Sequence, residues 1–179
     1  MESIELLSFL DWPEFNGESS LRAVAEKIIE YYDIGPDDIV GGSSLGGIVA
    51  IEIDKILNNP KVVLLGSAID VTEVNSFLLK LSVLSDYAPI KIIQLLTGKY
   101  DVTLLKMFSE SDPQFIKMMC QLIPTWKGYL GNSKKLLRIH GAKDLVISCP
   151  NEAHKILDGG HLIAMTHASN CEALLSSYL

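Results

Sequence analysis

Three residues of this chain have the types and the surroundings for nucleophilic acyl chemistry: Ser44, Asp144 and His161. A serine hydroxyl is a weak nucleophile near neutral pH. It needs a base to take its proton and a third group to orient the base. Ser44 is the centre of Gly42-Ser43-Ser44-Leu45-Gly46, which fits G-x-S-x-G. That pattern places the serine on a tight, strained strand-to-helix turn. Side chains two positions to either side would collide with the turn, so Gly42 and Gly46 are expected to be the positions that require glycine. The same turn aims the Leu45 N–H at the space in front of the serine oxygen, where it can hold a developing oxyanion. Taken alone the pattern is weak. A glycine-rich turn can also bind phosphate or merely allow close packing.

The flanking elements give it a setting. Asp38-Ile39-Val40 suits a short buried strand, and residues 45–57 carry Ile48, Ile51, Ile56 and Leu57 at roughly helical spacing. Leu136-Leu137-Arg138-Ile139-His140-Gly141 reads as a strand that runs into a loop carrying Asp144. Lys155-Ile156-Leu157-Asp158-Gly159-Gly160 reads as another, ending at a glycine-flanked His161. The chain order is then serine, aspartate, histidine. In this arrangement His161 takes the proton from Ser44 and later returns one to the leaving group. Asp144 holds the imidazole in the useful tautomer.

With these stretches, I-H-G-x-x-D-x-x-I and G-G-H-L beside the G-x-S-x-G turn, the chain resembles the α/β-hydrolase family. The resemblance covers residues 38–65 and 136–179 well, and residues 1–30 loosely. It implies an α/β fold of three layers, with a mostly parallel sheet of about five strands between helices, as one domain over residues 1–179. It also implies a helical cap in the insertion at about residues 70–133, where residues 74–87, 89–96, 102–107 and 114–123 look helical. The activity implied is hydrolysis of a small or medium apolar carboxylic ester. An acyltransferase or thioesterase on the same scaffold is the neighbouring reading, and a non-catalytic binding relative without a complete oxyanion hole is the third. No organic cofactor and no metal is expected.

Other residues compete for each role. His140 lies at the strand end before the acid and reads as structural or supporting. His154 precedes the last strand, and His167 belongs to the final helix. Asp158 reads as a turn residue. Asp70 follows the strand at residues 61–66, after which some hydrolases place their acid. Ser43 does not occupy the central position of the motif.

The front of the chain departs from the family pattern. Residues 4–10 read as a strand and residues 21–32 as a helix behind Ser19-Ser20. No glycine run precedes residue 41 to supply a second oxyanion N–H, so the first strands of the fold are expected to be missing. The Trp12 N–H is the candidate donor, since Pro13 has none. A sheet opened in this way leaves an edge that a homodimer could cover. The 17 residues from Asp144 to His161 are fewer than the family usually has. Parallel strands need a crossover of a dozen residues or more, so the helix there should shrink to a turn around residues 150–154.

Bulk properties narrow the classes further. A chain of 179 residues with 48% hydrophobic residues can bury a sizeable single core. Its net charge of −7 opposes nucleic acid and anionic membrane surfaces as partners. No apolar run approaches the roughly 18 residues of a membrane span. Met-Glu-Ser-Ile-Glu lacks the basic start of a signal peptide. Cys120, Cys149 and Cys171 have neither framework nor metal spacing and read as thiols in a reducing compartment, so the cytoplasm is the expected location.

Overall fold

The computed structural model describes residues 7–14, 16–75 and 113–179. A parallel sheet of four short strands carries the fold: β1 (Val40–Ser43), β2 (Val62–Leu65), β3 (Leu136–Gly141) and β4 (His154–Ile156), in the spatial order β1-β2-β3-β4. The register pairs Val40 with Val62, Val62 with Leu136, and Ile139 with His154. Every strand therefore ends on the same side of the sheet, where parallel sheets bind their ligands.

Alternation along the strands sends apolar side chains to both faces. Val62 and Leu64 join one buried cluster with α1 (Leu21–Tyr32), α2 (Leu45–Leu57) and α3 (Pro113–Leu122). Val63, Leu137 and Ile139 face the other way and pack against Ile163 of α4 (Ile163–Thr166) and Cys171 and Leu175 of α5 (Ala168–Tyr178). The result is three layers, helix on sheet on helix.

Local chemistry sets the helix ends. The Ser20 hydroxyl accepts from the Ala23 N–H at 3.1 Å, which caps α1, and Asp33 closes that helix at φ 53°. Asn58 ends α2 in the same left-handed conformation. The buried Glu52 carboxylate of α2 accepts from Trp126 Nε1 at 2.8 Å and is paired with Lys55, so its charge is not left alone in the core.

Several expectations are corrected here. The α/β fold with a parallel sheet is as expected; the sheet has four strands among the described residues, where about five are expected. The strand expected over residues 4–10 does not form in the described part, because residues 7–10 run outside the sheet with Phe9 94% exposed. The nucleophile strand runs later than Asp38-Ile39-Val40 suggests, through the glycine pair to Ser43. The crossover before the last strand, residues 142–153, contains turns and no helix, as expected from its length, and that strand covers three residues.

Of the insertion, the described ends are a 3₁₀ turn at Val71–Glu73 and α3. Phe115 and Met119 of α3 are buried in the main core with α2. The helices expected over 74–87, 89–96 and 102–107 lie outside the described residues, apart from the start of the first. There Val74 makes an antiparallel bridge to Ile147. No helix among the described residues is long and apolar enough to cross a membrane.

Candidate active site

Ser44 follows the last residue of β1 and precedes the first of α2. Its φ of 51° and ψ of −119° place a non-glycine residue in a region that L side chains avoid. Three contacts hold it there. The Ser44 N–H donates to Leu65 O at 3.0 Å, the Gly47 N–H donates to Ser44 O at 3.1 Å, and the buried Ser67 hydroxyl donates to the same carbonyl at 2.6 Å.

Crowding at the turn is only half as expected. A Cβ on Gly42 would lie 2.5 Å from Gly46 O, so glycine is required at that position. A Cβ on Gly46 would meet nothing within 4 Å. The second constraint falls one residue later, because a Cβ on Gly47 would stand 2.5 Å from Ser67 Cβ and 2.9 Å from Gly42 O. The close approach is between α2 and the residue after β2. Nothing in the local motif announces it.

The other two residues arrive from β3 and β4. Ser44 Oγ lies 2.8 Å from His161 Nε2, and His161 Nδ1 lies 2.9 Å from Asp144 Oδ2. His161 is 4% exposed and Asp144 8%. Oδ1 of Asp144 accepts from the backbone N–H groups of Val146 at 2.8 Å and Ile147 at 3.0 Å. Burial alone would push this carboxyl up. Hydrogen bonds from His140 and His161, the His161 charge and the Ile147 N–H outweigh burial and hold it well below the usual carboxylate range. An ionised Asp144 can only accept, so the proton between it and the imidazole sits on His161 Nδ1. Nε2 of the neutral ring is then an acceptor, and it faces the serine hydroxyl.

Leu45 is the first residue of α2, so its N–H has no intrahelical acceptor and points out of the helix at its positive end. Trp12 is 41% exposed and stands beside α3, its ring 5.1 Å from that of Phe115.

The competing residues lie elsewhere. Asp158 is paired with His167 at 3.3 Å on the surface. Asp70 accepts from the Thr72 N–H and hydroxyl. His154 is exposed at the start of β4. His140 is 1% exposed, with Nε2 2.9 Å from Ile147 O and 3.0 Å from Asp144 Oδ2. Ser67, Gly47 and the Val146 and Ile147 N–H groups shape the site without any sequence signal of their own. No group of three or more metal-ligating side chains gathers among the described residues. A separate concavity of about 610 Å³, lined by Asp54, Lys55, Tyr129 and Lys135, sits at the other end of α2. It is too remote from Ser44 to serve this chemistry, since 13 helical residues span about 20 Å.

No family model matches this chain, and no curated protein matches it. Solved structures do. A structure of RedJ with a PEG molecule bound in its active site superposes with a TM-score of 0.62 at 16% identity, over 89% of this chain and 74% of RedJ. A malate-bound thermophilic esterase from Thermogutta terrifontis gives 0.65 at 14% identity, over 93% of this chain and 74% of the esterase. The serine hydrolase CarC, involved in carbazole degradation, gives 0.59 at 14% identity, over 93% and 73%. The fold shared with these proteins is the α/β-hydrolase fold, here with four strands among the described residues.

Proposed function

We propose that this protein is a serine hydrolase that cleaves a small or medium apolar carboxylic ester through an acyl-enzyme on Ser44. The observation that carries the reading is the unbroken chain from Ser44 Oγ to His161 Nε2 at 2.8 Å and from His161 Nδ1 to Asp144 Oδ2 at 2.9 Å, beginning at a strained turn. The likeness in fold to an esterase and to a serine hydrolase supports the reaction class.

Ser44 Oγ attacks the ester carbonyl carbon while its proton passes to His161 Nε2. The carbonyl oxygen becomes an oxyanion, held by the Leu45 N–H and, in this reading, by the Trp12 N–H. Each such donor is typically worth roughly 10²- to 10³-fold in rate. Collapse breaks the bond to the alcohol oxygen, which takes the proton from His161. A water molecule then gives a proton to His161 and attacks the acyl carbon. Collapse releases the carboxylic acid, and the proton returns to Ser44. Asp144 stabilises the imidazolium in both halves.

A cap is expected within about residues 70–133, and the apolar sequence there, such as Phe77, Leu81 and Leu84, favours an apolar acyl group. The acidic charge and cysteine usage suit the cytoplasm. β1 stands at the edge of the described sheet, and pairing of that edge with a second copy would give a dimer mass by light scattering.

The test is intact-mass labelling with a fluorophosphonate. The expected result is one adduct per wild-type chain and none on Ser44→Ala. A folded wild type that takes no label would overturn the proposal.

A further inference from the structure

A histidine inside a parallel strand must find partners for its ring nitrogens, because an unsatisfied buried polar group is expensive. His140 lies on β3 between Ile139, which faces α5, and Gly141, and it shares its face of the strand with Arg138. Its Nε2 meets two acceptors, Ile147 O at 2.9 Å and Asp144 Oδ2 at 3.0 Å. A carbonyl and an ionised carboxylate can only accept, so Nε2 carries the proton.

Oδ2 is also the oxygen that receives His161 Nδ1–H. Ile147 closes the arrangement, since its carbonyl anchors His140 while its N–H donates to Asp144 Oδ1. Val146 supplies the second donor to Oδ1. Oδ1 thus has two backbone donors, and Oδ2 has His161 Nδ1 at 2.9 Å and His140 Nε2 at 3.0 Å. The pair on Oδ1 fixes one end only. The terminal torsion of an aspartate is soft, and the position of Oδ2 is set by what it meets on its own side.

We propose that His140 is a positioning residue for the acid: its Nε2–H, anchored on Ile147 O, holds Asp144 Oδ2 where it can orient His161. This rests on reading Ser44, His161 and Asp144 as a hydrolase site. The other ionisable groups around His140 are His161, Arg138 on its own strand face, and Lys155, its register partner on β4. Arg138 is committed to Glu73 at 2.7 Å.

The test compares the wild type with His140→Gln, His140→Asn and His140→Leu, in fluorophosphonate inactivation from pH 5 to pH 9 and in kcat and KM on p-nitrophenyl butyrate. Glutamine carries an N–H at about the reach of Nε2, and asparagine stops a bond short. Leu and Asn are expected to lower kcat by about 10- to 100-fold, as loss of a hydrogen-bonded supporting partner does elsewhere. KM should stay within about twofold, because a positioning role acts on the chemical step. The acid limb of the profile should move down in both, because an Oδ2 no longer held toward His161 stabilises the imidazolium less. Gln should restore most of kcat and the wild-type limb. If Leu does not fold, the Asn and Gln pair decides.

Equal behaviour of Asn and Gln, or an unmoved limb in all variants, overturns the proposal. A second readout needs no activity. Two-dimensional ¹H–¹⁵N spectra of the wild-type ring should show the proton on His140 Nε2 from pH 6 to pH 8, and the Nδ1–H tautomer would overturn the assignment. An unlabelled wild type with the Nε2–H tautomer would sink the hydrolase reading and leave the His140 contact standing.

Discussion

Substituting Gly47 by alanine tests whether the nucleophile turn is held by its contact with Ser67. The added Cβ would lie 2.5 Å from Ser67 Cβ and 2.9 Å from Gly42 O. Rotating the Ser67 hydroxyl away cannot relieve a contact with Cβ, which is fixed to the backbone. Normal carbon contacts are about 3.5–4.0 Å, so α2 and the end of β2 must separate by about 1 Å. Overpacking of that kind costs about 1–3 kcal/mol, and a contact this short belongs at the upper end. The displaced turn also carries Ser44 Oγ and the Leu45 N–H, and an offset near 1 Å can cost about 10²-fold in rate.

Ser67→Gly removes both the Cβ and the Oγ. Alone it loses the hydrogen bond to Ser44 O, about 1 kcal/mol, and adds about 0.5–1 kcal/mol of glycine entropy. Independent effects would make the double variant lose about 5 kcal/mol, the sum of the two. Relief of the contact should instead bring the double variant to about 3 kcal/mol, leaving a coupling near 2 kcal/mol. Urea unfolding of the four proteins measures this, and labelling rates of the same samples report the turn. Additivity within about 0.5 kcal/mol would refute the reasoning.

Three further outcomes are expected. Ser44→Gly should abolish labelling yet raise stability by about 1 kcal/mol, because it releases the strain at φ 51°; an unchanged or lower urea midpoint would show that the turn stores no strain. The folded Asp144 carboxyl titrates below its unfolded value, so its stabilising contribution is present above about pH 5 and is lost as the pH falls through about 3.9 toward the folded value. Asp144→Asn should flatten that part of the midpoint-against-pH curve between pH 6 and pH 3, and parallel curves would remove the claim. Trp12→Pro deletes one N–H and should slow labelling by roughly 10²- to 10³-fold, whereas Trp12→Ala keeps the N–H and should label at close to the wild-type rate; equal rates would exclude this donor.

Glycines made much of the site legible. Ser44, Asp144 and His161 each follow a β-branched or aliphatic run that ends at glycine, and in a parallel sheet such run ends share one side. The three-layer α/β arrangement follows from the alternation of those runs with helical spacing. What stayed hidden depends on partners distant in sequence. Gly47 meets Ser67 across 20 residues, and no window around either reports it. Residues 7–10 have strand-like composition yet lie outside the sheet, although β1 stands at its edge among the described residues, and composition does not say which segment an edge will take. The short β4 and the helix-free crossover at residues 142–153 could be anticipated, since 17 residues leave little room for more.

The hydrogen bonds of the site are unevenly spread along the chain. Asp144, His140, Val146, Ile147 and His161 all fall within residues 140–161, with 17 positions between acid and base. The bond from His161 to Ser44 closes 117 positions. In an unfolded chain the longer closure costs about 1.7 kcal/mol more. The acid and base are therefore expected to come together first, as a nearly local unit, while the serine is still remote. During refolding, the downfield proton signal of His161 should rise before the chain becomes competent to take a fluorophosphonate. In a molecule caught between those stages the hydroxyl of Ser44 is no more reactive than that of any other serine.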